Sequence, residues 1–284
     1  MISFSLIFSV CLVAAGLIIG LLSGIFGVGG GFLLTPALKI FFDVPYNVSV
    51  GSSLAVITII SLVGVLRHHK MSHINIKLGL IVLSGIIPGV EIGAHLLVRL
   101  KQSGMMDNIL NVSFLLVFIL AFVIMLIEYL KWTNGEKESV DLEKYTINYH
   151  WFDKKENSLN IFALVLTGFI IGIMQGLLGV GGGFVMLPVL ISIFCIPARI
   201  VVGTCLFIIL PSSFFGSISH VFKGNVNFML VGLILCGSIA GTFIGSAFTE
   251  KIKGKKIRFY FLFIILLAIA MMIFQLFVSG CAGH

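Results

Sequence analysis

Gly24-Ile25-Phe26-Gly27-Val28-Gly29-Gly30-Gly31-Phe32, closed by Pro36, decides the fold, because the chain contains it twice. The second copy is Gly176-Leu177-Leu178-Gly179-Val180-Gly181-Gly182-Gly183-Phe184, closed by Pro188. A constant offset of 152 residues relates the copies, from Gly29 to Gly181 and from Pro36 to Pro188. Each copy interrupts a long apolar run with backbone that does not stay a regular helix. Inside a bilayer such a break persists only where protein or a water-filled cavity satisfies the freed backbone groups. Matched breaks in matched halves point to the central site of a transporter.

The surroundings of the two tracts establish the solvent. The 284 residues are 59% hydrophobic and 10% charged, against about 25% charged in ordinary soluble domains. Apolar runs long enough to cross a bilayer, roughly 20 residues each, fall at about 3–24, 49–66, 77–99, 108–130, 159–178, 200–221, 227–249 and 258–278. Met1–Leu22 lacks a basic leader region and reads as the first membrane helix. The segments 32–42 and 184–194 are apolar but short, and read as half-helices or re-entrant pieces.

The register continues beyond the glycines. Pro45 matches Pro197, Gly51 matches Gly203, His68 matches His220, and Asn75 matches Asn227. Gly85, Gly89 and Gly93 match Gly237, Gly241 and Gly245. The sequence predicts an all-α polytopic membrane protein of about eight transmembrane helices, in two homologous four-helix repeats with glycine-broken helices. Residues 1–130 form the first repeat, 131–158 a polar linker, and 159–284 the second. Whether 32–42 crosses the bilayer decides if the copies are parallel or inverted. An even number of crossings per copy, hence parallel copies, is the expectation.

The net charge of +7 is no nucleic-acid signal, because Lys and Arg sit at segment ends and in loops. The run Lys251, Lys253, Lys255, Lys256 and Arg258 suits anionic lipid headgroups. The five cysteines show no paired spacing that would suggest a disulfide framework or a metal site, and no cofactor is implied. A phosphate-loop reading of the glycines fails, since no Lys-Ser or Lys-Thr follows them.

Consecutive amides leading into a helix N-terminus do form an anion-binding concavity. The candidate substrate residues are therefore Gly29, Gly30, Gly31, Gly181, Gly182 and Gly183, against the alternative that these glycines serve only close helix packing. Ser52, Ser53, Thr204 and Cys205 follow Gly51 and Gly203 at the start of the next helix. Asn47 and Arg199 occupy matched positions after the second prolines, and Arg199 either pairs with the anion or reaches toward the membrane surface. For coupling or gating the candidates are His68 and His220 at helix ends, and Glu91 with His95 one turn later in a membrane segment. The expected partners are a small anionic substrate, membrane lipids and a coupling ion, proton or sodium.

The doubled Gly-x-x-Gly-Val-Gly-Gly-Gly-Phe…Pro pattern, followed by Gly51-Ser52-Ser53 or Gly203-Thr204-Cys205 and by His…Asn at the next helix boundary, resembles the TauE/SafE family. The resemblance covers both halves outside the linker. It implies a multi-pass transporter of the cell membrane that moves sulfite or an organosulfonate. The family usually carries Gly-Thr-Ser after the second proline, and this chain keeps the middle hydroxyl in both copies. Alternating access between the repeats is the expected mechanism, with an anion channel or a carrier of another small solute as the alternatives. A membrane-embedded enzyme would need clustered acid, base or metal residues, and only Glu91 and His95 answer to that.

Overall fold

The structure, a computed structural model, describes residues 6–102, 106–133, 157–179, 181–194, 196–251 and 254–281. The described residues form ten helices. They are α1 (Leu6–Phe26), α2 (Gly31–Phe42), α3 (Tyr46–Lys70), α4 (Ile76–Gln102), α5 (Met106–Thr133), α6 (Asn157–Leu178), α7 (Gly183–Ser192), α8 (Ala198–Phe222), α9 (Phe228–Lys251) and α10 (Gly254–Cys281). Eight are long and apolar enough to span a membrane; α2 and α7 are the short ones. Most of the expected linker, residues 134–156, lies outside the described residues, as does Cys195.

Small residues set the helix pairing. On α1, Gly16, Gly20 and Gly24 lie against the backbone of α9 at Ile234, Ser238 and Thr242. Gly237, Gly241 and Gly245 of α9 lie in turn against Val13, Leu17 and Leu21. The same zipper joins α4 to α6. There Gly85, Gly89 and Gly93 face Val165, Phe169 and Ile173, and Gly168, Gly172 and Gly176 face Val82, Ile86 and Val90. Residue numbers rise together along both zippers, so each pair is parallel. Lipid supplies no hydrophobic drive between helices, and close backbone approach through small residues substitutes for it. The consequence is an interlock: the first helix of each part of the chain is held by a late helix of the other.

At the centre α3 packs against α8. Gly64 faces Leu206 and Gly216 faces Leu54, while Gly51 meets Asn225 and Gly203 meets His73. Numbers fall on one helix as they rise on the other, so α3 and α8 are antiparallel. The expectation of an even crossing count with parallel copies does not fit this. The reason lies in α2 and α7. Phe8 at the start of α1 touches Phe42 at the end of α2, with ring centroids 5.1 Å apart. Helix α2 therefore returns to the side from which α1 started, and α3 must cross again. Five helices on each side of the linker make an odd count, which turns the second set over.

Candidate functional site

The glycine tracts meet where α3 and α8 cross. Gly29 and Gly181 both rest on the side chains of Ile57 and Ile209. A Cβ on Gly183 would lie 2.8 Å from the Val28 carbonyl oxygen, so the tracts also touch each other. Thr35 Oγ1 donates to the Gly179 carbonyl across 3.2 Å. Phe32 and Phe184, which follow the tracts, stack with centroids 5.6 Å apart. The structure thus brings Gly29–Gly31 together with Gly181–Gly183, although 152 residues separate them in sequence.

Backbone conformation explains why the tracts are glycine. Gly30 caps α2 with φ of 71° and Gly182 caps α7 with φ of 69°. This is the left-handed region, which costs an L-residue roughly 1–2 kcal/mol. Neither cap supplies a side-chain hydrogen bond to the first turn. The leading amides of both short helices therefore keep the partial positive charge of an unsatisfied N-terminus, about half a unit. Both are buried at the crossing point.

Side chains that the sequence reading did not select stand beside these caps. Ser23 is 0% exposed and its hydroxyl has no hydrogen-bond partner; its Cβ lies 3.6 Å from where a Cβ on Gly30 would sit. Gln175 holds the matching place by Gly182 and is 1% exposed. Its Nε2 donates to Ser212 Oγ at 3.0 Å, while its Oε1 has no partner. An unsatisfied buried polar atom costs about 1–3 kcal/mol. The sequence signal was a polar residue immediately before Gly24 and Gly176 in otherwise apolar runs. Thr58 Oγ1 lies 3.2 Å from Ser213 Oγ nearby and adds to the polarity of the crossing point.

The hydroxyl candidates lie farther out. The Asn227 backbone N–H donates to Ser52 Oγ at 3.1 Å, and the Asn75 N–H donates to Thr204 Oγ1 at 3.0 Å. Each hydroxyl thus tethers the helix that starts just beyond its asparagine. Ser53 is buried with an unpartnered hydroxyl, and Cys205 is buried as a free thiol.

Around these tethers two polar networks form, one at each end of the α3–α8 pair. At one end Asn47 Nδ2 donates to Asn225 Oδ1 at 2.8 Å, and Asn225 Nδ2 approaches His220 Nδ1 at 3.4 Å. At the other, His68 Nε2 lies 3.3 Å from the Gly24 carbonyl, which also accepts from Thr249 Oγ1 at 3.0 Å. A carbonyl only accepts, so His68 carries its proton on Nε2. Arg199 is half-buried near the start of α8. The glycine crossing lies between the two networks.

Glu91 and His95 are placed elsewhere. They pair at 3.1 Å on the outer face of α4, with side chains 60% and 69% exposed, opposite the glycine zipper to α6. Arg258, expected among the headgroup-facing basic residues, instead pairs with Glu128 of α5 at 3.4 Å and is largely buried. Among the described residues no group of three or more His, Cys, Asp or Glu is placed to hold a metal.

Comparison with known proteins gives the chain's family and relatives. The family described as Sulfite exporter TauE/SafE matches residues 12–272. Probable membrane transporter protein YunE of Bacillus subtilis is 31% identical over 263 residues, covering 87% of this chain and 91% of the relative. A probable membrane transporter protein of Methanocaldococcus jannaschii is 29% identical over 266 residues, 87% of this chain and 88% of its own. YjnA of Bacillus subtilis, of the same description, is 28% identical over 268 residues, 92% and 98% of the two chains. No solved structure matches significantly.

Proposed function

The chain belongs to the Sulfite exporter TauE/SafE family, and on that premise we propose that it is a secondary transporter of a small anion, sulfite or an organosulfonate, in the cell membrane. One observation carries the reading. Two helix N-termini without side-chain caps meet at the buried crossing of the two central helices. Each offers backbone amides and a fixed partial charge, and a small oxyanion takes up both. No lysine or arginine is needed, which suits a site that must also release its ligand.

The two end networks are the proposed gates. His220 with Asn225 and Asn47 closes one path to the glycines; His68 with the Gly24 carbonyl closes the other. The interlock supports moving bodies that are not the two sequence halves. The α1–α9 and α4–α6 pairs are zippered through backbone contacts along three glycines on each helix. The proposed motion carries these pairs as units past α3 and α8. A proton or sodium ion is the proposed coupling partner.

Purified protein in liposomes tests the proposal. Sulfite flux that saturates with concentration, and that a trans-side anion accelerates, is expected of a carrier. Flux that rises linearly without exchange would show a channel. No anion flux, alongside flux of a neutral solute or cation, would overturn the assignment.

A further inference from the structure

The two glycine tracts match in backbone but differ in the side chain beside them: Ser23 next to Gly30, and Gln175 next to Gly182. Both side chains are fully buried and both carry an orphaned polar atom, Ser23 Oγ and Gln175 Oε1. The orphan on Gln175 has a definite chemical sign. Ser212 Oγ donates its single proton to the backbone at Ile208 or Ile209, each at 3.0 Å. With that proton given to the helix backbone, Ser212 Oγ accepts from Gln175 Nε2 at 3.0 Å, and Oε1 is turned toward Gly182. A Cβ on Gly182 would sit 3.1 Å from that oxygen.

A carbonyl oxygen beside a helix N-terminus is unfavourable for a bare anion, because its lone pairs face the same charge that the amides attract. It becomes favourable when the anion itself carries a proton. We propose that Gln175 is a substrate-contacting residue that selects an oxyanion bearing an acidic proton, its Oε1 accepting that proton's hydrogen bond while the α7 amides hold the charged oxygens. Ser23 is its counterpart on the α2 side, where the hydroxyl donates to a deprotonated oxygen. The site is then polar in direction: a proton-bearing monoanion such as hydrogensulfite fits one way round. A sulfonate, with three bare oxygens, leaves Gln175 unsatisfied. This rests on the anion-transport reading and specifies which protonation state that site takes.

The test is binding to the purified full-length protein of two probes, sulfite at a pH where hydrogensulfite predominates and methanesulfonate at the same pH. The wild type should prefer hydrogensulfite by roughly 10-fold or more, the discrimination typical of one hydrogen bond involving an ion. Gln175→Leu should erase the preference while leaving methanesulfonate binding intact. Ser23→Ala should weaken both probes alike. A preference is a ratio, so partial unfolding of a variant does not alter it, and Gln175→Met serves as a second variant of closer shape. If Gln175→Leu keeps the wild-type preference, the assignment of Gln175 is wrong while anion binding stands. If the wild type binds neither probe, the anion reading itself fails, and this inference with it.

Discussion

Three glycine-to-alanine substitutions separate what the tract requires. Gly232 of α9 has an ordinary helical backbone and nothing within 4 Å of an added Cβ. Gly224, in the turn between α8 and α9, has φ of 68° and equally open space. Gly30 has φ of 71°, and an added Cβ would lie 2.5 Å from Ile19 Cγ2. Gly232→Ala should be neutral or stabilise by about 0.5–1 kcal/mol, since alanine restricts the backbone less unfavourably than glycine in a helix. Gly224→Ala should cost only the left-handed backbone term, about 1–2 kcal/mol. Gly30→Ala should cost that same term plus overpacking, about 1–3 kcal/mol more, because a β-branched neighbour has little room to rotate away. The total for Gly30→Ala is roughly 2–5 kcal/mol. Unfolding titrations in mixed micelles, all three variants in one detergent, give the order directly. If Gly30→Ala loses no more than Gly224→Ala, close approach is not what holds the first tract in place, and the geometry of the site is misassigned.

The antiparallel arrangement of α3 and α8 predicts opposite exposure of their ends. Lys70→Cys and Lys223→Cys, both at exposed positions, should react with a membrane-impermeant thiol reagent from opposite faces of the membrane; labelling from one face would refute the inversion. Ser52→Ala and Thr204→Ala each strand an asparagine backbone N–H. Each should lower stability by about 1 kcal/mol, read in the same unfolding titration, with the double variant near the sum; no loss would mean the tethers are idle. Glu91→Gln alters a side chain on the exposed outer face of α4. It should change stability by less than about 0.5 kcal/mol in the same unfolding titration and leave the pH dependence of flux in liposomes unchanged; loss of that dependence would place Glu91 in the coupling path.

Much of the fold was legible because membrane helices announce themselves by length and hydropathy. The apolar runs 49–66 and 200–221 became helices Tyr46–Lys70 and Ala198–Phe222, longer by a few residues at most ends. The glycines at Gly85, Gly89 and Gly93 were visible as a pattern, but not their partner, because a zipper's other strand can be any helix with small residues at the same spacing. That partner proved to be α6, far along the chain. The direction of the second set depended on whether twelve residues, Gly31–Phe42, recross or stop, and their length permits either. The glycine tracts stood out in the sequence because three consecutive glycines ahead of a proline break helical periodicity, unlike the every-fourth spacing of the zipper glycines. Ser23 and Gln175 did not, since a single polar residue in an apolar run reads equally as a helix-packing contact until burial and partners are known. The hydroxyls of Ser52 and Thr204 pointed to donors for a substrate, and their acceptor role toward asparagine amides depends on a contact between helices distant in sequence.

The most direct test of the account is the position of a bound anion in an experimental structure of the protein saturated with sulfite, or with selenite as its heavier analogue. The anion is expected at the α3–α8 crossing, within about 2.7–3.2 Å of leading amides of the helices that begin at Gly31 or Gly183. Density for the anion only at the outer networks around His68 or His220, with the glycine amides unoccupied at saturation, would contradict it.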